Sequence, residues 1–347
     1  MNTQKKLQQL REIFKDHQTM LIVVQDNPDP DAIASAVALR RLANTLANIQ
    51  CSIAHGGTVG RAENRALIKY LNLNLRPLDE IDMTQFELFA MVDTQPGTGN
   101  NSLPGQVEPD IVIDHHTCRE LTRHCRFTDV RSKYGATATI LLEYLNAVQL
   151  IPETPLATAM LYAIRSDTQE LGRDSTQADV EAFTQLYAMA NKHKLSEIQR
   201  GKVERSYYQM LADGLKNAQV YGNAIVTNLG VIGNPDMIAE IADMLLRDDQ
   251  TDWIMVYGFY KERMMISLRT YSQEARADKV IHHIVARKGA GGGHPSYAGG
   301  QIPLPDDTLK AKRKLEKTVV NRFLKQVVKN SESPKPLIQK QSVFMSF

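Results

Sequence analysis

The chain is short of the features that would cross-link it, anchor it in a membrane or give it a strong field. Its three cysteines, Cys51, Cys118 and Cys125, cannot all pair internally and form no C-x-x-C. That argues against a disulfide frame or a cysteine zinc site, and reduced thiols in a cytoplasmic protein are expected. No apolar run approaches the roughly 20 residues needed to span a bilayer, so no membrane partner is expected. The opening stretch, MNTQKKLQQLREIFKDHQ, is polar and amphipathic and lacks an apolar h-region, which argues against a secretory leader. Charge is nearly balanced, 41 basic against 39 acidic residues for a net of +2, so no whole-molecule field draws the chain to nucleic acid or anionic membrane, although a local basic cleft stays open. Internal repeats and long low-complexity segments are also missing.

What is present has globular proportions: 43% hydrophobic and 23% charged residues rule out a wholly disordered or fibrous chain. At 347 residues a single core would be unusually large, so two domains are expected. Leu7, Leu10 and Phe14 recur at helical spacing and predict an opening helix over 4–16. Met20-Leu21-Ile22-Val23-Val24 is a continuous apolar run of the kind found in buried parallel strands. An alanine- and leucine-rich helix is expected over 31–47, then short strands at 48–54, 87–92 and 110–113 with a helix at 61–71. Strands alternating with helices imply an α/β fold, a mostly parallel sheet with helices on both faces. Helices at 135–147, 154–165 and 176–191 complete this region, taken as a domain over 1–192. A charged stretch near 193–218 reads as a connecting helix. A smaller α/β domain over 219–330 follows, with a strand at 219–229, a helix at 235–247, strands at 252–260 and 263–270, a helix at 277–287 and a basic amphipathic helix at 308–329. Tyr260-Lys261-Glu262-Arg263 has the length and polarity of a hairpin turn. Residues 331–347 read as a tail.

Four separated segments end an apolar strand or helix in aspartate or histidine: Asp29 and Asp31 in QDNPDPDAIAS, Asp93 in FAMVDT, Asp114-His115-His116 in IVIDHH, and Asp167 in AIRSDT. Each alone has a plain structural explanation. N-P-D-P-D is a turn, Asp31 can cap the next helix, and adjacent histidines occur again at His282-His283. Together they point elsewhere, because ligands in open α/β sheets bind outside the carboxyl ends of the strands, where three of these segments converge. Several carboxylates in one crevice repel each other unless something positive neutralises them, and mixed carboxylate and imidazole donors suit Mn²⁺ or similar ions. In the second half, Gly291-Gly292-Gly293-His294 reads as a loop that offers close backbone approach to an anion, and Arg269 in Ser267-Leu268-Arg269 can clamp phosphate with its forked guanidinium.

The order and spacing of these segments, from about residue 20 to about residue 305, resemble the DHH phosphoesterase superfamily. Its members include RecJ-like exonucleases, nanoRNases, cyclic-dinucleotide phosphodiesterases and manganese pyrophosphatases. The stand-alone oligoribonuclease/pAp-phosphatase branch is the most similar, through the GGGH segment, the small-residue run Ser296-Tyr297-Ala298-Gly299-Gly300 and the S-x-R of its C-terminal domain. The resemblance implies two metal ions, Mn²⁺ with Mg²⁺ or Co²⁺ as alternatives. Asp29 and Asp93 would hold the first. Asp31, Asp93, His115 and Asp167 would hold the second, with Asp93 bridging. It further implies that a metal-activated water attacks phosphorus, with His116 and Arg269 stabilising the phosphoryl charge and Asp114 orienting a histidine. Gly291, Gly292, Gly293 and His294 would bind the far end of the nucleotide. One departure stands out: the family's leading histidine, in H-x-N-P-D-x-D, is Gln25 here, a weaker ligand for Mn²⁺ than imidazole. The implied activity is hydrolysis of short oligoribonucleotides, linear dinucleotides or 3′-phosphoadenosine 5′-phosphate, so short RNA or nucleotide is the expected partner. A homodimer is expected by analogy with relatives. The alternatives are a nucleotide binder weakened at Gln25, a RecJ-like single-strand exonuclease and a pyrophosphatase. The balanced charge counts against long DNA, and the glycine segment against pyrophosphate.

Overall fold

The computed structural model describes residues 3–272, 274–328 and 333–338, with the backbone alone at Arg287. It falls into two compact units, Met1–Lys202 and Val203–Phe347. The first is built on six parallel strands: β1 (Thr19–Val23), β2 (Gln50–His55), β3 (Leu75–Pro77), β4 (Leu88–Val92), β5 (Ile111–Asp114) and β6 (Phe127–Val130). Their order across the sheet is β3-β2-β1-β4-β5-β6, a doubly wound arrangement that reverses beside β1. Met20 on β1 stands opposite both Cys51 on β2 and Leu88 on β4. The central strands are covered on both faces, which explains why β1 reads as an unbroken apolar run.

Seven helices belong to this unit: α1 (Thr3–Phe14), α2 (Pro30–Ala47), α3 (Ala62–Tyr70), α4 (Thr137–Ala147), α5 (Thr154–Asp167), α6 (Gln177–Met189) and α7 (Lys192–Gln199). They pack with Met20, Ile22, Ala90, Val92, Ile111 and Ile113 into one large core. The opposite sheet face carries a smaller cluster of Leu21, Val23, Ala54, Leu78 and Ile81, joined by Met83 and Phe86. Helices were expected on both faces; here two short 3₁₀ turns, Leu78–Glu80 and Met83–Gln85, lie over this cluster. Helix α2 is rich in alanine because it is buried between α4 and α5 and must let both come close. It starts with Asp29 as N-cap, its side chain accepting from the Ala32 amide, and Pro30 at the first helical position.

The second unit contains α8 (Arg205–Asn217), β7 (Gln219–Tyr221), β8 (Ala224–Val231), α9 (Asp236–Leu245), β9 (Trp253–Tyr260), β10 (Arg263–Thr270), α10 (Ala277–Val285), β11 (Ala290–Gly293), β12 (Tyr297–Pro303), α11 (Leu309–Val327) and β13 (Lys335–Pro336). Its mixed sheet runs β11-β12-β10-β9-β8-β7-β13, and among the described residues only β8 and β9 are parallel neighbours. Helices α8 and α9 pack on one face, and α10 and α11 on the other.

Three expectations need correction. The single connecting helix is two, α7 and α8, separated at residues 200–204. Tyr207, Met210 and Leu211 of α8 pack into the second unit, so the helix has its own core rather than bridging. The strand over 219–229 is a hairpin, because Gly222 turns the chain at φ +57°. Within the tail, Lys335 and Pro336 pair with β7, and Leu337 packs on the core. Residues 331–332 and 339–347 of that stretch lie outside the described residues.

Candidate metal centre

The sheet order puts the ends of β1, β4 and β5 side by side, and the acidic segments follow those three ends. Asp31, Asp93, His115 and Asp167 each offer an atom within 4.8 Å of the others, and Asp93, His115 and His116 form a second overlapping group. Asp93 leaves β4 in the left-handed region at φ +57°, a conformation aspartate tolerates better than most residues and one concentrated at functional sites. Its Oδ1 accepts from Thr137 Oγ1 at 3.0 Å and faces His115 Nε2 at 3.5 Å. Its Oδ2 is buried with no hydrogen-bond partner among the described residues, the mark of an acceptor shaped for something else.

The other donors are held from outside. Asp31 takes the backbone N–H groups of Thr137 at 2.7 Å and Ala138 at 2.8 Å. His115 has Nδ1 on the Tyr134 carbonyl at 3.1 Å and Nε2 facing Asp167 at 3.3 Å. A carbonyl on one ring nitrogen requires a proton there and leaves the other nitrogen for a cation. Asp114 lies outside both groups. One of its oxygens accepts from His116 Nδ1 at 2.8 Å and the other from Gln95 Nε2 at 2.6 Å. Asp29 also lies outside both: Oδ1 caps α2, and Oδ2 accepts from Gln25 Nε2 at 2.7 Å. Gln25 thus presents its N–H end, not its oxygen, to the site.

Burial, then repulsion from Asp167, pushes Asp29 up to about 6 and Asp31 up to about 7. Asp93 is driven well above the carboxylate range by burial and by Asp29, Asp31 and Asp167. Burial works to lower His115, but the hydrogen bond and charge of Asp167, with Asp31 and Asp114, outweigh it and hold the ring up to about 10. Burial works to raise Asp114, and its contacts with His116 outweigh that and keep it low. The raised carboxyls favour folding fully only below their ordinary value near 3.8, and that contribution is lost as pH rises through about 6 and 7. His115 loses its contribution between about 6.5 and about 10. Both slopes run the same way, so the metal-free fold weakens as pH rises. Clustered acidic oxygens and an imidazole around one unmatched buried oxygen fit a divalent ion.

Comparison with known proteins agrees. Residues 19–164 match the family model described as DHH family, N-terminal domain, and residues 222–321 match the DHHA1 domain. The chain belongs to the DHH family of phosphoesterases. An uncharacterized protein of Methanocaldococcus jannaschii is 34% identical over 82% of this chain, which spans 58% of that relative's length. A probable manganese-dependent inorganic pyrophosphatase of Deinococcus radiodurans is 30% identical over 44% of this chain and 48% of its own. Among solved structures, an exopolyphosphatase-related protein from Bacteroides fragilis superposes at TM-score 0.69 and 14% identity, covering 92% of this chain and 97% of that one. RecJ from Thermus thermophilus, in complex with Mn²⁺, reaches TM-score 0.53 at 16% identity over 92% of this chain and 55% of its own. At those identities the two structures establish a common fold.

The DHHA1 unit differs from the expectation of a loop. Gly291, Gly292 and Gly293 lie in β11, an edge strand paired to β12. The glycines there make room for α10: a Cβ on Gly291 or Gly300 would come within 3.0 Å or less of Ile281. Only Gly293 within the run has a positive φ, +151°. The His294 amide donates to the Tyr297 carbonyl at 2.7 Å, and the two rings stack with centroids 4.7 Å apart. The Arg269 guanidinium sits 5.6 Å from the Tyr297 ring, donates to Ser267 Oγ at 2.8 Å and is ion-paired to Asp243. Arg269, Tyr297 and His294 therefore share one aromatic and cationic surface, with Asp243 already engaging the arginine.

Sequence reading missed several residues that build the centre. Gln95 is wholly buried and uses both ends of its amide: Oε1 accepts from the Arg119 amide and Thr122 Oγ1, each at 2.8 Å, so its nitrogen must face Asp114. Thr137 and Ala138 act through their backbone amides, and Thr137 also through its hydroxyl. The small-residue run Gly135-Ala136-Thr137-Ala138 leading into α4 was the available signal, and a Cβ on Gly135 would meet Thr168 at 2.4 Å.

Proposed function

We propose that this DHH-family chain is a metal-dependent phosphodiesterase acting on short oligoribonucleotides or linear dinucleotides, with 3′-phosphoadenosine 5′-phosphate as a further substrate. The observation that carries the reading is the convergence of Asp31, Asp93, His115 and Asp167 around the unmatched Asp93 Oδ2. Asp31, Asp93, His115 and Asp167 would hold one ion. Asp29 and Asp93 would hold a second, with Gln25 beside them. The relative from Deinococcus radiodurans supports Mn²⁺ as the preferred cation. Bound divalent ions lower the pKa of water and neutralise phosphoryl oxygens, the chemistry that phosphoester hydrolysis needs near neutral pH.

The chain's own residues do the rest. His116 is 39% exposed, with Nδ1 fixed on Asp114, so its ring can face a substrate phosphoryl group while Asp114 sets its orientation. As water oxygen bonds to phosphorus, the bond to the ribose oxygen breaks and that oxygen takes a proton. Arg269 exchanges Asp243 for a phosphate, and Tyr297 and His294 offer a stacking surface to a base.

A substrate panel tests the assignment: 5′-labelled diribonucleotide, a linear diguanylate, 3′-phosphoadenosine 5′-phosphate, pyrophosphate and long single-stranded DNA, each with Mn²⁺ and with chelator. Fastest turnover on the dinucleotides, lost with chelator, is expected. Preference for pyrophosphate or long DNA would replace this reading with the pyrophosphatase or the RecJ-like one.

A further inference from the structure

Residues 131–138, from the end of β6 into the first turn of α4, touch three of the candidate ligands. The Tyr134 carbonyl meets His115 Nδ1 at 3.1 Å, Thr137 Oγ1 donates to Asp93 at 3.0 Å, and the Thr137 and Ala138 amides donate to Asp31. Two buried carboxylates that are not candidate ligands fasten this segment. Asp129, 1% exposed, accepts from Arg131 Nε at 3.0 Å and Nη2 at 2.8 Å, from Tyr144 Oη at 2.6 Å, and from Lys6 of α1. Asp179, fully buried, accepts from the Gly135 amide at 2.9 Å and from Thr176 on the same oxygen, while Thr139 holds the other.

Arg131 ties these parts together. Its backbone N–H donates to the Asp114 carbonyl at 2.9 Å, and its own carbonyl accepts from the Tyr134 amide at 2.9 Å. Its guanidinium reaches Glu143 at 2.6 Å and Tyr134 Oη at 3.1 Å, and lies 5.0 Å from the Tyr134 ring. Glu143 accepts from Tyr134 Oη at 2.7 Å. The tyrosine side chain is thus clamped on one side by a cation and on the other by a carboxylate, and its carbonyl sets the ring of His115.

We propose that Arg131 is a positioning residue for the metal centre, fixing metal affinity through Tyr134 and the 131–138 segment without touching a ligand side chain. Taking charges out of water for stability alone is a poor exchange, since apolar replacements of buried ion pairs are often at least as stable. What an apolar residue cannot supply is the fork that holds Asp129, Glu143 and the Tyr134 phenol in fixed relation. Asp129 keeps Lys6 and Tyr144 when Arg131 is replaced, so loss of the fork is separable from loss of the fold.

The inference rests on the metal-centre reading above, and the test separates the two. Mn²⁺ alone is titrated into metal-stripped full-length protein, wild type and variants, with free Mn²⁺ followed by electron paramagnetic resonance and metal-free melting measured in parallel. Arg131→Met is expected to weaken Mn²⁺ binding by roughly 10–100-fold, the range typical of groups that orient ligands, and Arg131→Lys by less. Leu67→Ala, a wholly buried core change in α3, is expected to lower the melting temperature and leave affinity unchanged. Unchanged affinity in Arg131→Met, or an equal loss in Leu67→Ala, would overturn the proposal. Should Arg131→Met not fold, Tyr134→Phe, which removes the clamped hydroxyl, carries the comparison with the same two outcomes. Failure of the wild type to bind Mn²⁺ would instead sink the metal centre itself.

Discussion

Replacing Asp93 with asparagine is expected to cut Mn²⁺-dependent turnover by more than roughly 100-fold, beyond what changes outside the ligand shell cost. The shapes match, so Thr137 Oγ1 keeps an acceptor and the fold should stand. What goes is the negative charge that Asp93 would offer to the proposed ions, and an amide N–H takes the place of one carboxylate oxygen. Metal-free stability should move the opposite way. Burial, with Asp29, Asp31 and Asp167, holds Asp93 well above the carboxylate range, so above the ordinary carboxylate value folding must either keep a proton on it or bear the repulsion, and asparagine removes that cost. Asp93→Asn is therefore expected to melt at or above the wild-type temperature in chelator at pH 8, a trade of stability for function. Steady-state kinetics and thermal melts check both halves. Turnover within tenfold of wild type would remove Asp93 from the reaction.

The second large effect is a gain. Gln25→His is expected to lower the half-saturating Mn²⁺ concentration by roughly tenfold, comparable to the effect of completing a ligand's surroundings. Gln25 now points an N–H at Asp29 Oδ2, occupying an oxygen that the first ion would need. Histidine removes that donor and offers a nitrogen that divalent transition ions prefer to a neutral amide. The magnitude separates two readings of the chain. A modest wild-type activity that rises in the variant fits an enzyme with a loose first site. A silent wild type that becomes active fits a nucleotide binder whose ancestral centre was disarmed at this position. No change in either affinity or turnover would mean that Gln25 is not the weak point.

The parts of this architecture that the sequence displayed are those where one residue type answers one physical demand. Met20 to Val24 had to be apolar because β1 lies at the middle of a doubly covered sheet, and Asp29, Asp31, Asp93 and Asp167 stood out because acids at strand and helix ends are costly unless used. Strands β3 and β6 were missed. Leu75-Arg76-Pro77 is three residues at a sheet edge, and Phe127-Thr128-Asp129-Val130 carries a charge whose partners, Lys6, Arg131 and Tyr144, are distant or flanking. Gly291–Gly293 misled because glycine signals a turn locally, whereas here it records the closeness of Ile281, which only the fold reveals. The amides of Thr137 and Ala138 have no side-chain signature, and Gln95 carries no charge to advertise its role. Sequence thus exposes the charged donors of a site more readily than the neutral groups that aim them.

The most direct test of the account is calorimetric titration of Mn²⁺ into metal-stripped protein near pH 7, in two buffers of different ionisation enthalpy. Asp31 is held up to about 7, Asp93 well above the usual range and His115 up to about 10, so a cation must displace protons to enter. Saturable binding with net proton release, much weakened in Asp93→Asn, is the expected outcome. Absence of binding, or binding without proton release that Asp93→Asn leaves intact, would contradict the assignment of this cluster as a metal centre.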